Sequence, residues 1–401
     1  MQDPSGWLDA RHFEKALAQH TADRDLQVED VQLALHSDPS QQYASTIYRA
    51  RVCYRSRGKS ETAKLIVKLV ASKVHSLANE SPYETELGVY RDAIAPMEAA
   101  LSKSGSTGKF GPRLIFAASE PRPHLILEDL TNQQYVAGSG LLAADTAVLV
   151  LTKLAQFHAA SFSQQQASMR KPTDKQQNEL FKPKTLEGMN FLVECFGIFI
   201  EQLSAWEGYA HYAKRFHSLR ETFFEWGIQI YNAQDAEYRF KVLNHGDFHY
   251  SNVLLKLNSG DAPNDVLFVD YQLSCWTTVA VDLLYFLYLV CDHETRQTKR
   301  QQLLQLYHRE FSETLATLGF MGKAPTLLDL NMDLVRAGFL EVVLVVCFVP
   351  FLFADYGHAV SVYGTDETDA HAYRRKLYNH PEYRVLLREL LPRFLHQGFL
   401  E

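Results

Sequence analysis

Near residue 130 the hydrophobic pattern of this chain changes period, and that switch narrows the available folds more than any other stretch of the sequence. Before it, Leu26 to His36, Ser45 to Tyr54 and Thr62 to Val70 are rich in β-branched and apolar residues and are separated by polar or Gly-containing turns, the mark of strands. Asn79 to Leu101 has helical character, with Leu87, Tyr90, Arg91 and Ile94 spaced for one face. Strand character returns at Leu114 to Ala118 and His124 to Leu127, with Pro121 and Pro123 marking the turn between them. After Leu130 the spacing is helical over Ala143 to Phe162, Leu186 to Leu203 and His211 to Tyr231, and again from Val281 onward. Only Phe240 to Asp270 interrupts, reading as two strands around a loop. No Pro/Gly/Ser-rich linker and no repeat divides the chain. The pattern predicts an α+β fold of two lobes in contact, strand-rich over 1–130 and helical over 131–401.

A length of 401 residues with 46% hydrophobic and 22% charged residues suits one large or two ordinary globular domains. The net charge of −7 supplies no basic field for nucleic acid. Five cysteines are scattered without a C-x-x-C pair, which argues for free thiols in a reducing, cytoplasmic setting. Met1 to Leu17 is polar and lacks the apolar core of a signal peptide. The most apolar run, Val342 to Phe353, is 12 residues, short of the roughly 18 that span a bilayer. Glu341 precedes it and Pro350 interrupts it, so it reads as a buried helix and no membrane span is expected.

The segment Val242-Leu243-Asn244-His245-Gly246-Asp247-Phe248-His249-Tyr250-Ser251-Asn252-Val253-Leu254-Leu255 enters a polar loop from one strand-like run and leaves in another. Protein kinases place a catalytic Asp and a metal-binding Asn five positions apart on such a loop, the separation of Asp247 and Asn252. The chemistry asks for one carboxylate facing an acceptor hydroxyl and one neutral oxygen ligand for Mg²⁺, which takes few protein ligands. A second carboxylate, Asp270, ends the apolar run Val266 to Val269 where a metal-binding Asp of a phosphotransferase belongs. Taken singly, each Asp also fits an ordinary turn carboxylate; the two together, with Asn252 at its spacing, fit a phosphotransferase.

His245-Gly246-Asp247-x-x-x-x-Asn252, followed by Asp270-Tyr271-Gln272 and Asp282-Leu283-Leu284-Tyr285-Phe286-Leu287, resembles the ecdysteroid kinase-like family of insects, within the choline and aminoglycoside kinase superfamily. The resemblance covers nearly the whole chain. It implies a bilobal protein-kinase-like fold, ATP and Mg²⁺ as cofactors, Asp247 as catalytic base, and Asn252 and Asp270 as metal ligands. Asp282 resembles the family's structural Asp; as a plain reading it opens a helix and is placed to cap it.

In the first part, Lys68 stands alone in the apolar run Leu65 to Val70, so it either points outward or meets an acid. The helix that follows supplies Glu84 and Glu86, and the family pattern of an acid closely followed by an aromatic, here Tyr90, favours Glu86. Leu125 to Leu130 resembles the hinge that binds adenine through its backbone, with Glu128 and Leu130 as contacts. The chain departs from the kinase pattern before the Lys strand, where Asp38 to Ser45 holds no Gly, leaving the Ser45 hydroxyl and N–H as phosphate donors. Gly105 to Phe110 is only a loose likeness of a P-loop. His245 and His249 are four apart, but Gly246 argues against the helix a zinc pair would use. Gly246 in place of Arg, and Tyr-Gln after Asp270, argue against a protein kinase.

The expectation is therefore an ATP-dependent small-molecule kinase acting on a hydroxylated, apolar acceptor such as an ecdysteroid. A choline- or aminoglycoside-type kinase and a catalytically silent binding protein of the same fold are the alternatives. Phe191, Phe196, Phe199, Trp206 and Trp276 are aromatic enough to line an apolar pocket, although rings on helices more often pack cores.

Overall fold

The computed structural model describes residues 6–36, 45–70, 82–106, 108–168, 186–231, 238–354 and 367–401. Five antiparallel strands open the fold in the order β1-β2-β3-β5-β4. They are β1 (Gln27–Leu35), β2 (Ser45–Ser56), β3 (Lys59–Val70), β4 (Leu114–Ala118) and β5 (His124–Glu128). Arg57 and Gly58, with φ of 49° and 76°, form the two-residue turn between β2 and β3, where left-handed residues match the strand twist. Asp23 accepts the backbone N–H of Arg57 at 3.1 Å and so steadies a conformation that a side chain resists.

Side chains alternate across this sheet. Leu65, Val67 and Leu69 of β3 pack with Tyr48, Ala50 and Val52 of β2 on one face, beneath Phe13, Ala16 and Leu17 of helix α1 (Ala10–Thr21). Sequence periodicity did not reveal α1; its N-cap Asp9, which accepts from His12 N at 3.0 Å, was the available signal. The opposite face carries Ile66 and Lys68 and looks onto a cleft.

The helix expected over Asn79 to Leu101 is described from Pro82 onward; Asn79 to Ser81 lie outside the described residues. It runs as α2 (Pro82–Gly88), a π-helical turn (Val89–Ile94) and α3 (Ala95–Lys103). Pro96 has no N–H for the carbonyl of Asp92, and Gln164 Nε2 donates to that carbonyl at 3.1 Å instead. This unit shares one hydrophobic core with the helices that follow.

Those helices are α4 (Ala144–Ser168), α5 (Leu186–Ala205), α6 (Ala210–Tyr231), α7 (Ala280–Leu289), α8 (His293–Thr317), α9 (Leu327–Arg336), α10 (Gly338–Cys347), α11 (Glu367–Tyr378) and α12 (Pro381–His396). Every residue of α7 and α10 is buried. The run Val342 to Phe353, expected as one buried helix, divides into α10 and a 3-10 turn at Val349–Phe353, in which Phe351, Leu352 and Phe353 are only partly buried. No single helix among the described residues is long and apolar enough to cross a membrane. In the core Phe196 packs edge-on against Phe223 and Phe199 edge-on against Phe216, with Phe196–Phe216 and Phe199–Tyr378 in tilted contact.

The region read as two strands around a loop is more elaborate. Strands β7 (Lys241–Asn244) and β10 (Cys275–Thr278) form one sheet, and β6 (Tyr135–Ala137), β8 (Val253–Leu257) and β9 (Pro263–Phe268) form another. The two strands that flank the loop thus belong to different sheets. Elements of three to six residues carry too little period to be told apart from sequence.

Candidate active site

β3 points Lys68 away from the apolar face and into contact with two acids. Its Nζ lies 2.5 Å from Glu86 Oε2 and 2.7 Å from Asp270 Oδ1. Burial would lower the pKa of Lys68, but the two carboxylates hold it well above its ordinary value, so the ammonium stays charged. Burial also pushes Glu86 up, against the pull of Lys68. Glu84 is exposed and plays no part: residues two apart on a helix face different ways.

The loop from His245 to Asn252 is held from three sides. Asp282 Oδ2 accepts the N–H of His245 at 2.6 Å, and its Oδ1 accepts that of Gly246 at 3.0 Å. Asp282 makes no side-chain cap to α7, the plain alternative to its role as a structural Asp; its fully buried carboxylate takes the two loop amides instead. His245 Nε2 donates to the Val269 carbonyl at 2.9 Å, tying the loop to the segment that bears Asp270. Gly246 has φ of 83°, and a Cβ there would lie 2.0 Å from the Leu273 carbonyl oxygen. Any side chain at this position, including the Arg of protein kinases, would displace the backbone.

Asn252 and Asp270 are brought together by the β8–β9 hairpin. Val253 pairs with Phe268, and Val269 N donates to the Asn252 carbonyl at 3.0 Å, so the residues just outside each strand meet. Asn252 Nδ2 donates to the Asp247 carbonyl at 2.9 Å, which turns the amide oxygen the other way. Asp270 sits in the left-handed region, φ 70° and ψ 59°, one that Asp tolerates better than most residues.

Burial works to raise the pKa of Asp247, but His249, His245 and Lys68 outweigh it and hold the carboxyl below its usual range. His249 Nε2 lies 3.6 Å from Asp247 Oδ2, and His249 is correspondingly raised despite its burial. Sequence reasoning weighed His249 only as half of a zinc pair and missed it here. Its place between Asp247 and Asn252 was the signal. Also missed was Arg49, whose Nε meets Asp129 Oδ2 at 2.9 Å at the edge of the cleft.

The cleft has a volume of about 450 Å³, within the range of small-molecule sites. Lys68, Glu86, Glu128, Leu130, Asn252 and Asp270 line it, and Ile47, Ile66, Leu127, Leu254 and Val269 give it apolar walls. Ser45 lies in a small recess beside Lys68, Tyr83 and Glu86 rather than on the main wall. The Gly-free stretch from Asp38 to Ala44 lies outside the described residues. Among the described residues no cluster of three or more His, Cys, Asp and Glu could hold a metal alone.

Solved structures similar to the chain include the choline kinase of Cryptosporidium parvum Iowa II, at 14% identity and a TM-score of 0.46, with 93% of this chain and 91% of that one covered. The macrolide 2'-phosphotransferase MphH of Brachybacterium faecium matches at 13% identity and a TM-score of 0.40, covering 92% and 98%. A Plasmodium vivax ethanolamine kinase matches at 12% identity and a TM-score of 0.37, covering 88% and 84%. No curated protein matches the chain. The model of the ecdysteroid kinase-like family matches residues 39–320, a span that contains Ser45, Lys68, Glu86, Glu128, Leu130, Asp247, Asn252, Asp270 and Asp282. On that match the chain belongs to the ecdysteroid kinase-like family, and by kind it is an ATP-dependent phosphotransferase with an alcohol group as acceptor.

Proposed function

We propose that the chain transfers the γ-phosphate of ATP, bound with Mg²⁺, to a hydroxyl of an apolar polycyclic or glycosidic molecule, ecdysteroids among them. The observation that carries the chemistry is the convergence of Lys68, Glu86, Asn252 and Asp270 on one cleft, with Asp247 on the loop beside it. In this reading the division falls near Leu130, with a nucleotide-binding lobe over 1–130 and the catalytic loop, metal site and acceptor pocket over 131–401.

Lys68 has the charge and the reach to hold nucleotide phosphates, and Glu86 keeps it aimed. The oxygens of Asp270 and Asn252 fit Mg²⁺, which takes one or two carboxylates and completes its octahedron with water and phosphate. Bound there, Mg²⁺ would offset charge on the transferring phosphoryl group. Asp247, ionised at neutral pH, orients the acceptor hydroxyl and takes its proton. The acceptor oxygen forms its bond to the γ-phosphorus while the bond to the departing ADP oxygen breaks, and ADP leaves with that electron pair.

Support for an apolar acceptor comes from family membership. Phe196 and Phe199 pack the core and add nothing to this reading. A reducing, cytoplasmic setting accords with five free cysteines, four of them buried.

The test is a competition assay in which ecdysteroids, other sterols, phenolic glycosides and choline are offered together with limiting enzyme and ATP·Mg²⁺. Preferential phosphorylation of a sterol or glycoside is expected. Preference for choline or an aminoglycoside would overturn the acceptor assignment and leave the kinase standing. ATP binding without transfer to any acceptor would reduce the protein to a nucleotide-binding relative of kinases.

A further inference from the structure

A second cavity, of about 820 Å³, is larger than the cleft and shares no residue with it. It lies among α4, the α8–α9 connection and the first turn of α9, with Arg239 at its edge. Arg239 precedes β7 and the catalytic loop leaves the far end of that strand, so the cavity sits away from Asp247. Local chemistry fixes its walls. Gly319, at φ 69°, ends α8, and Phe320 N donates to the Leu315 carbonyl at 3.0 Å. That helix end turns the Phe320 ring back onto Phe162 of α4, with 5.5 Å between ring centres. His308 Nε2 donates to the Pro325 carbonyl at 3.0 Å and holds the other end of the connection. Phe162, Leu318, Phe320, Ala324 and Pro325 together give the cavity an apolar floor.

Two cations stand at its mouth. Arg239 and Lys323 are both exposed, and both lie close enough to Asp329 to act on its charge. Asp329 is held below the usual carboxylate range first by the Thr326 N–H and hydroxyl, and then by these two cations. Its carboxylate belongs to the capping box of α9, accepting from Thr326 N at 2.9 Å and from Thr326 Oγ1 at 2.7 Å. Among the described residues, neither Arg239 nor Lys323 closes an ion pair with Asp329 or with another acid. Two cations against one acid leave the mouth with an excess of positive charge above the apolar floor. We propose that this cavity binds a free monoanionic amphiphile, a long-chain carboxylate, with its chain on the Phe162–Phe320 floor and its head between Arg239 and Lys323. A guanidinium fork and an ammonium match a carboxylate, and a cavity of this size holds a small molecule. A bilayer fits less well, because Phe162 is buried below the rim, where a single chain reaches and a flat surface does not.

The test titrates decanoate, below its micellar range, into the full chain by calorimetry, beside decanol, hexanoate and phosphatidylglycerol vesicles. One decanoate should bind per chain, with decanol about tenfold weaker because it gives the cations no charge to hold. Hexanoate, with its shorter chain, should also bind at least about tenfold more weakly. Arg239→Gln and Lys323→Gln change exposed side chains, so both variants should keep the wild-type Tm and kcat. Each should bind decanoate about tenfold more weakly. Saturating ATP·Mg²⁺ should leave the affinity unchanged, because the two cavities share no residue. The proposal falls if the double variant binds decanoate like the wild type, if decanol or hexanoate binds as tightly, or if ATP·Mg²⁺ displaces the ligand. Absence of binding below the micellar range overturns it too. Capture on the vesicles without uptake of free decanoate would make this face a membrane contact and overturn it as well. The inference does not rest on phosphoryl transfer: if the wild type phosphorylates no acceptor, the decanoate titration still decides it.

Discussion

Asp247 keeps its charge against its own burial because His249 stands 3.6 Å away, and that pairing separates its role from those of Asn252 and Asp270. Asp247→Asn preserves shape and removes the proposed proton acceptor. We expect kcat to fall by a factor of about 10²–10⁴ with the affinity for ATP·Mg²⁺ largely intact, measured by steady-state kinetics beside calorimetric binding. Asp270→Asn is a clean test of the proposed metal site, because Asn tolerates the left-handed backbone that Asp270 adopts at φ 70°. The variant loses a charge and keeps the fold. A Mg²⁺ titration at saturating ATP should show a raised requirement in Asp270→Asn and a smaller rise in Asn252→Ala. Unchanged metal dependence in both would place the metal elsewhere.

Elements do the gathering. The β8–β9 hairpin closes on Asn252 and Asp270, and α7 presents Asp282 to the loop that β7 delivers. Another contact between elements sets a pH response away from the site. His124 Nδ1 on β5 donates to the Arg122 carbonyl at 2.7 Å, so its Nε2 accepts from His12 Nε2 of α1 at 3.0 Å. Burial, with His124 and Lys15 nearby, lowers His12 to about 4, while Asp9 opposes the shift. The unfolded chain binds that proton near the ordinary value of 6.5 and the folded chain does not. The stability of the neutral pair is therefore fully present above 6.5, is lost as pH falls toward 4, and levels off below it. Tm measured between these limits should decline in the wild type, and His12→Gln should flatten the decline. Partial exposure of His12 tempers the size of the effect.

At the scale of the whole molecule, the cleft is walled by residues from both parts of the chain, from Ile47 on β2 to Asp270 after β9. A ligand that fills it joins the five-stranded sheet to the β6-β8-β9 sheet and stabilises the two together. ATP·Mg²⁺ at a hundredfold excess over Kd should add about 2.7 kcal/mol, read as a rise in Tm of the wild type. Lys68→Met leaves Glu86 and Asp270 without their shared cation and should abolish most of that rise, whatever its effect on the ligand-free Tm. An equal rise in the variant would show that Lys68 does not hold the phosphates.

The amino-acid sequence by itself determined the strands of the first part, the helices of the second, and the loop with Gly246, Asp247 and Asn252. These follow from local rules: side-chain period, turn chemistry and a fixed spacing along one loop. It also supplied the acids of the site, with the family pattern favouring Glu86 over Glu84. Only the tertiary structure set the Asp282 carboxylate on the His245 and Gly246 amides, divided β7 and β8 between two sheets, and brought Lys68 onto Asp270. Each of these depends on a partner further along the chain: Lys68 meets Asp270 across 202 positions, and Asp282 meets His245 across 37. A polar side chain in an apolar helix carries no mark of its partner. The partner is chosen when packing buries both and leaves each no other group to bond.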